Sequence, residues 1–158
     1  MSEIIIVAPH PDDEIIGVYE ELKKKENKIT VIYDSETEAK RREEALKLKE
    51  HFDNVRNQLF QTTIPQPFIQ KGNIFYLPDP YFETHPDHRR WGFSGEQMAR
   101  AGFDVVFYST IMNTPYIHKV TNPDKKREAL EKVYPSQKSL WEYNYIYFLF
   151  EGRCKWIF

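Results

Sequence analysis

A single cysteine, Cys154, excludes a disulfide within the chain and fits a reducing compartment, so a cytoplasmic location is expected. Long apolar runs are missing as well. Ile4-Ile5-Ile6-Val7-Ala8 falls far short of the roughly 20 residues that a membrane-crossing helix needs. Tyr145 to Phe150 is equally brief, so a transmembrane segment is excluded, while an interfacial or homo-oligomer contact through that stretch stays open. No signal peptide is expected either. With 22 basic against 24 acidic residues, the formal net charge is −2 and no basic stripe marks the chain, which removes the electrostatic case for a nucleic-acid partner.

What the chain does have is enough apolar material for a core: 41% of its 158 residues are hydrophobic and 15% aromatic, so residues 1–158 read as a single domain. Strands are expected at about Glu3 to Ala8, Lys28 to Tyr33, Gln58 to Gln61, Asn73 to Leu77 and Asp104 to Ser109. Helices are expected between them, at about Asp13 to Lys25, Glu36 to Phe52, Arg89 to Arg100 and Asn122 to Val133. Alternation of this kind predicts an α/β fold, a Rossmann-like three-layer arrangement with a mostly parallel sheet. Tyr143 to Phe150 and Arg153 to Phe158 flank Glu151-Gly152 and predict a C-terminal β-hairpin.

Chemistry concentrates in two short clusters. His10-Pro11-Asp12-Asp13-Glu14 follows the first strand at its C-terminal end, where open α/β sheets form ligand crevices. His85-Pro86-Asp87-His88 comes much later. His10 and Asp13 are three positions apart, as are His85 and His88, so each pair can face one point from the start of a helix. Three of these four could bind one ion, zinc or another divalent metal, and three protein ligands with an open fourth position define a catalytic rather than a structural zinc site. Asp12, beside a ligand, is suited to accept a proton from water as general base. Simpler readings exist for each cluster alone. The first contains a helix start, with Pro11 early and acids favoured by the helix dipole; the second, a solvated polar turn.

Taken together, these motifs resemble the PIG-L/LmbE-like family of zinc-dependent de-N-acetylases, which act on N-acetylglucosamine conjugates. Ala8-Pro9-His10-Pro11-Asp12-Asp13-Glu14 with Gly17 is similar to the first family signature, and His85-Pro86-Asp87-His88-Arg89 to the second. Lys126-Arg127-Glu128-Ala129-Leu130, leading to Tyr134-Pro135-Ser136-Gln137, resembles a late pattern, and Arg41 with Glu44 a weaker Arg-x-x-Glu feature. The resemblance runs from Ile4 to about Gln137. It implies that His10, Asp13 and His88 bind Zn2+, that Asp12 is the general base, and that His85 is the acid and electrophilic partner. It implies further that Asp87 orients His85 by hydrogen bonding, raising its pKa toward a cation that would stabilise an oxyanion, and that Arg41 contacts the substrate. The expected reaction removes an acetyl group from a small N-acetylated amine, an amino-sugar type.

Departures bear on the substrate. Val18-Tyr19-Glu20 stands where the family carries further glycines, Tyr33-Asp34-Ser35-Glu36 replaces a Thr-x-Gly-type loop, and the loops before His85 are trimmed. Other functions therefore stay in view: a metallo-hydrolase acting on another ester or a phosphoester, and a non-catalytic member that holds metal or sugar. Glu83-x-His85-x-Asp87-His88 also resembles the metallo-β-lactamase His-x-His-x-Asp-His motif, but that leaves His10 to Asp13 unexplained. His51 and His118 read as structural or solvated, Ser136 as packing or capping, and Trp91, Trp141 and Trp156 as core or interface residues, with sugar stacking open for Trp91.

Overall fold

The computed structural model describes residues 2–35, 37–111, 114–144 and 146–156. At its centre lies β1 (Ile4–Ala8), buried at every position, with β2 (Ile29–Tyr33) on one side and β4 (Ile74–Pro78) on the other. β3 (Val55–Phe60) extends the sheet beyond β2, and β5 (Asp104–Ser109) extends it beyond β4, all in parallel register. Two antiparallel strands, β6 (Ile117–Lys119) and β7 (Phe150–Cys154), complete a seven-stranded sheet of order β3-β2-β1-β4-β5-β7-β6. The chain progresses outward in opposite directions from β1 and β4, which opens a crevice beyond the carboxyl ends of these two strands.

Period-two alternation in β1 feeds two cores. Ile4, Ile6 and Ala8 pack with Ile15 and Leu22 of α1 (Asp13–Leu22), with Leu48 of α3 (Leu48–His51), and with Leu130 of α5 (Pro123–Val133). Ile5 and Val7 pack on the opposite face with Phe75, Leu77, Phe107 and Trp91, the last from α4 (Pro86–Arg100). The result is a mostly parallel sheet with helices on both faces, the three-layer α/β arrangement that buries continuous β-branched strands. None of the helices among the described residues is long and apolar enough to cross a membrane.

Several expected elements differ in extent. The helix expected from Glu36 to Phe52 divides into α2 (Ala39–Leu46) and α3, because a tight turn at Lys47 intervenes; Glu36 itself lies outside the described residues. Ala45, Leu48 and Phe52 are buried, whereas Leu46 is exposed. β3 begins at Val55, ahead of the expected Gln58, and α4 begins at Pro86 with His85 as its N-cap, so the second cluster is a helix start and not a free turn.

The C-terminal hairpin is not formed. Residues Ile146–Leu149 make a helical turn, α7, and Glu151-Gly152 lies inside β7, which pairs with β5 and β6 on its two sides. Gly152 is there for packing: a Cβ would come within 2.5 Å of Thr114 Cγ2 and 3.1 Å of Ser109 Cβ. Tyr145, Ile157 and Phe158, which the hairpin included, lie outside the described residues.

Glu151 is inside the sheet for a second reason. α1 breaks at Val18, whose φ of −135° and ψ of 25° are non-helical. Around this break the Glu20 amide donates to Glu151 Oε1 at 2.7 Å, and the Ile16 carbonyl accepts from Lys126 Nζ at 2.7 Å. These are the i and i−4 partners of a regular helical turn, each met by a buried side chain from α5 or β7.

Candidate metal centre

Both clusters stand at the β1/β4 crevice. After β1, Pro9-His10-Pro11 leads to Asp12, the single described non-glycine residue with positive φ, at 121°. That conformation turns the chain sharply so that Asp13 opens α1, with its Oδ2 accepting the His10 amide at 2.9 Å. From the other side, β4 ends at Pro78 and α4 starts beneath it. Gly92 permits this approach, since a Cβ there would lie 2.6 Å from the Pro78 carbonyl oxygen. Its close contact seats α4 against the end of β4 and brings the buried His88 beside His10 and Asp13.

The three residues that the resemblance assigns to the metal meet. His10 Nδ1 lies 3.3 Å from His88 Nε2 and 3.7 Å from Asp13 Oδ2, and the remaining side, His88 Nε2 to Asp13 Oδ2, measures 3.0 Å. One ligand atom from each therefore faces a common point, and the trio could hold a metal ion. Burial works against the His88 cation, but the Asp13 and Glu83 carboxylates push its pKa up to about 10. Asp13 is held below its ordinary value, with His88 and His10 outweighing the opposing effect of burial.

Each imidazole has a carboxylate on its far side. Asp87 Oδ2 sits 3.0 Å from His10 Nε2, and Glu83 Oε1 sits 3.5 Å from His88 Nδ1. A hydrogen-bonded carboxylate of this kind fixes the orientation of a ligating histidine, as Asp87 does for His10; Glu83 stands at ion-pair distance from His88 Nδ1 without a hydrogen bond to it. Glu83 is buried and also accepts from the Thr110 amide at 2.6 Å and its hydroxyl at 2.9 Å. Nothing in its spacing distinguished Glu83 as an outer partner, because the pairing depends on where β5 delivers Thr110. The expected hydrogen bond from His85 to the Asp87 carboxylate is absent: that pair is 3.8 Å apart, and the Asp87 backbone N–H donates to His85 Nδ1 at 3.1 Å instead. A ring that accepts at Nδ1 carries its proton at Nε2.

Asp12 is only 3% exposed, and its Oδ2 has no hydrogen-bond partner. Burial, then the adjacent Asp13, raises its pKa well above the carboxylate range, against the opposing charge of Arg41. Arg41 Nη2 lies 3.8 Å from that oxygen and donates to the Pro11 carbonyl at 2.6 Å. Two cavities flank the trio. One, of about 740 Å³, is lined by His10, Arg41, Asp87, Arg90, Thr37 and Gln137 among others. The other, of about 330 Å³, is lined by Asp12, Asp13, His85 and His88 together with Ile16, Ile111, Leu140 and Tyr147. Arg41 thus faces a different cavity from Asp12 and His85.

Weaker features of the sequence prove to be supports. Glu14, after the two aspartates, accepts from the hydroxyls of Tyr134 and Tyr33 and, through Oε2, from the Asp12 amide at 3.1 Å. Burial pushes its pKa up to about 7. Ser136 donates to Glu44 through its hydroxyl and, at 3.0 Å, its amide, joining the late Ser-Gln pattern to the Arg41/Glu44 helix. Trp91 is buried in the core, so it stacks on no ligand, and Trp141 is buried likewise. His118 is exposed with Nε2 at 3.2 Å from the Arg153 carbonyl, and His51 is exposed on α3.

No family model matches the chain, and no curated protein and no solved structure matches it.

Proposed function

We propose that the chain is a zinc-dependent hydrolase of PIG-L/LmbE-like type that removes an acetyl group from an N-acetylated amine, an N-acetylglucosamine-type sugar or conjugate. The carrying observation is the ligand triangle. Zinc bonds of roughly 2.0–2.1 Å at tetrahedral angles separate donor atoms by about 3.3 Å. The sides of 3.0, 3.3 and 3.7 Å formed by Asp13, His88 and His10 bracket that value. Another divalent ion would accept the same donors. A Rossmann-like reading of the fold is supported by the order β3-β2-β1-β4-β5, with the trio at the strand-order reversal.

A zinc ion held by the trio would supply Lewis acidity to a carbonyl and to water. Asp12, with an unpartnered buried oxygen on the same cavity as Asp13 and His88, takes the proton of the attacking water. His85 donates a hydrogen bond from Nε2 to the developing oxyanion, and the proton that Asp12 took from water passes to the leaving amine, which returns Asp12 to its starting state. Arg41 contacts the amine-bearing half from the larger, polar cavity and tempers the charge of Asp12.

The test is turnover of a panel of N-acetylated sugars by zinc-loaded protein and its Asp12→Ala variant. Release of acetate by the parent and its loss in a variant that still holds zinc is the expected result. Turnover of phosphate esters alone would replace the reaction, and ligand binding without product from either panel would leave a non-catalytic member.

A further inference from the structure

We propose that the acyl side of this site takes chains longer than acetyl, N-acyl groups of roughly four to eight carbons, judged from its volume; this substrate class rests on the hydrolase reading above. The two cavities at the ligand trio differ in chemistry. The larger presents His10, Asp87, Thr37, Thr62, Arg41 and Gln137, a surface for a hydroxylated or charged group. Past its catalytic end, the smaller is walled by Ile16, Ile111, Leu140 and Tyr147, with Glu83, Thr84 and Thr110 at its inner side.

Asp12 and His85 both line the smaller cavity, so the reacting carbonyl carbon sits where that cavity meets the trio. An amide has two substituents to place. The polar amine half matches the larger cavity, and the acyl half is left for the apolar one. Its volume of about 330 Å³, which includes the catalytic end beside Asp12, Asp13, His85 and His88, exceeds what acetyl would fill. At a liquid share of ~30 Å³ per water, acetyl displaces only about two or three waters, and the remainder would stay wet against apolar walls.

Leu140 supplies a second observation. It is 60% exposed at the rim, a large apolar side chain that nothing among the described residues covers. An acyl chain running past it buries both surfaces. Leu140 and Tyr147 come from α6 (Lys138–Trp141) and α7, beyond the stretch that carries the family resemblance, so this wall is a property of the chain itself.

The experiment compares N-acetyl-, N-butyryl- and N-hexanoyl-glucosamine with the full zinc-loaded chain. A rise in kcat/KM of about fourfold per methylene over the first two is expected, the equivalent of ~0.8 kcal/mol per buried CH2. Leu140→Trp should lower the hexanoyl-to-acetyl ratio by about tenfold. Preference for acetyl, with no effect of Leu140→Trp on the ratio, would overturn the inference and leave the hydrolase reading standing. Should no N-acyl sugar be turned over, the hydrolase reading fails, and a titration of metal-free protein with acetate, butyrate and hexanoate decides the cavity alone. Tighter binding with chain length, weakened by Leu140→Trp, supports an acyl site; equal or absent binding overturns it.

Discussion

The Asp87 carboxylate meets His10 and not its neighbour His85: Oδ2 lies 3.0 Å from His10 Nε2 and 3.8 Å from His85 Nδ1. A side chain adjacent in sequence to one histidine thus buttresses another delivered by a different strand. Asp87→Asn should therefore weaken zinc binding by about 10–100-fold, the usual effect of removing an outer carboxylate from a ligating histidine. Unchanged affinity with an altered acid limb in the pH–rate profile would instead put Asp87 in the service of His85.

Zinc and a proton compete for His88. In the metal-free protein its pKa is raised from 6.5 to about 10, chiefly by Asp13 and Glu83 in opposition to burial. A raised folded-state pKa contributes stability that is complete below the unfolded value and is lost as pH rises through the folded one. Ligation needs the neutral ring, so the zinc-induced increase in Tm should be larger at about pH 8.5 than at about pH 6.5, with proton release on binding. Thermal denaturation with and without zinc measures this, and equal increments would argue against His88 as a ligand.

Asp12 carries two costs, a positive φ and a buried carboxylate. Asparagine carries no charge, so Asp12→Asn removes the cost of the buried carboxylate and should stabilise the protein by about 1 kcal/mol while abolishing turnover. Chemical denaturation and activity read in parallel would show it. Loss of stability with activity retained would remove Asp12 from the reaction.

Lys126 and Glu151 splint the break in α1 as a pair. Lys126→Met leaves the buried Ile16 carbonyl without its donor and should cost about 1–3 kcal/mol, whereas Glu151→Gln keeps an acceptor for the Glu20 amide and should cost less. Burial pushes Glu151 from 4.5 up to about 7. The stability due to its protonated form is present below 4.5 and lost as pH rises through about 7, so Glu151→Gln should flatten stability across that window. Denaturation curves across pH measure this, and an unchanged pH profile in Glu151→Gln, or no loss of stability in Lys126→Met, would contradict the two roles.

Much of this was legible in the residues. The β-branched runs Ile4–Ala8 and Asp104–Ser109 announce buried parallel strands, and the two His/Asp clusters announce the side chains of His10, Asp13 and His88 that meet, although α4 starts at Pro86, ahead of the expected Arg89. Contacts set by distant chain were not. Glu83 acquires its role from Thr110, Glu44 from Ser136, and Glu14 from Tyr134, and no local pattern encodes those pairings. Glu151-Gly152 misleads for the same reason: a pair that suggests a turn is selected by the amide of Glu20 and by the room beside Thr114.

Metal content tests the central claim most directly. Protein purified without added metal or chelating tags, beside its His88→Ala variant, should contain about one zinc per chain in the parent and essentially none in the variant. No bound metal in the parent even after zinc addition, or equal zinc in both proteins, would contradict the three-ligand site.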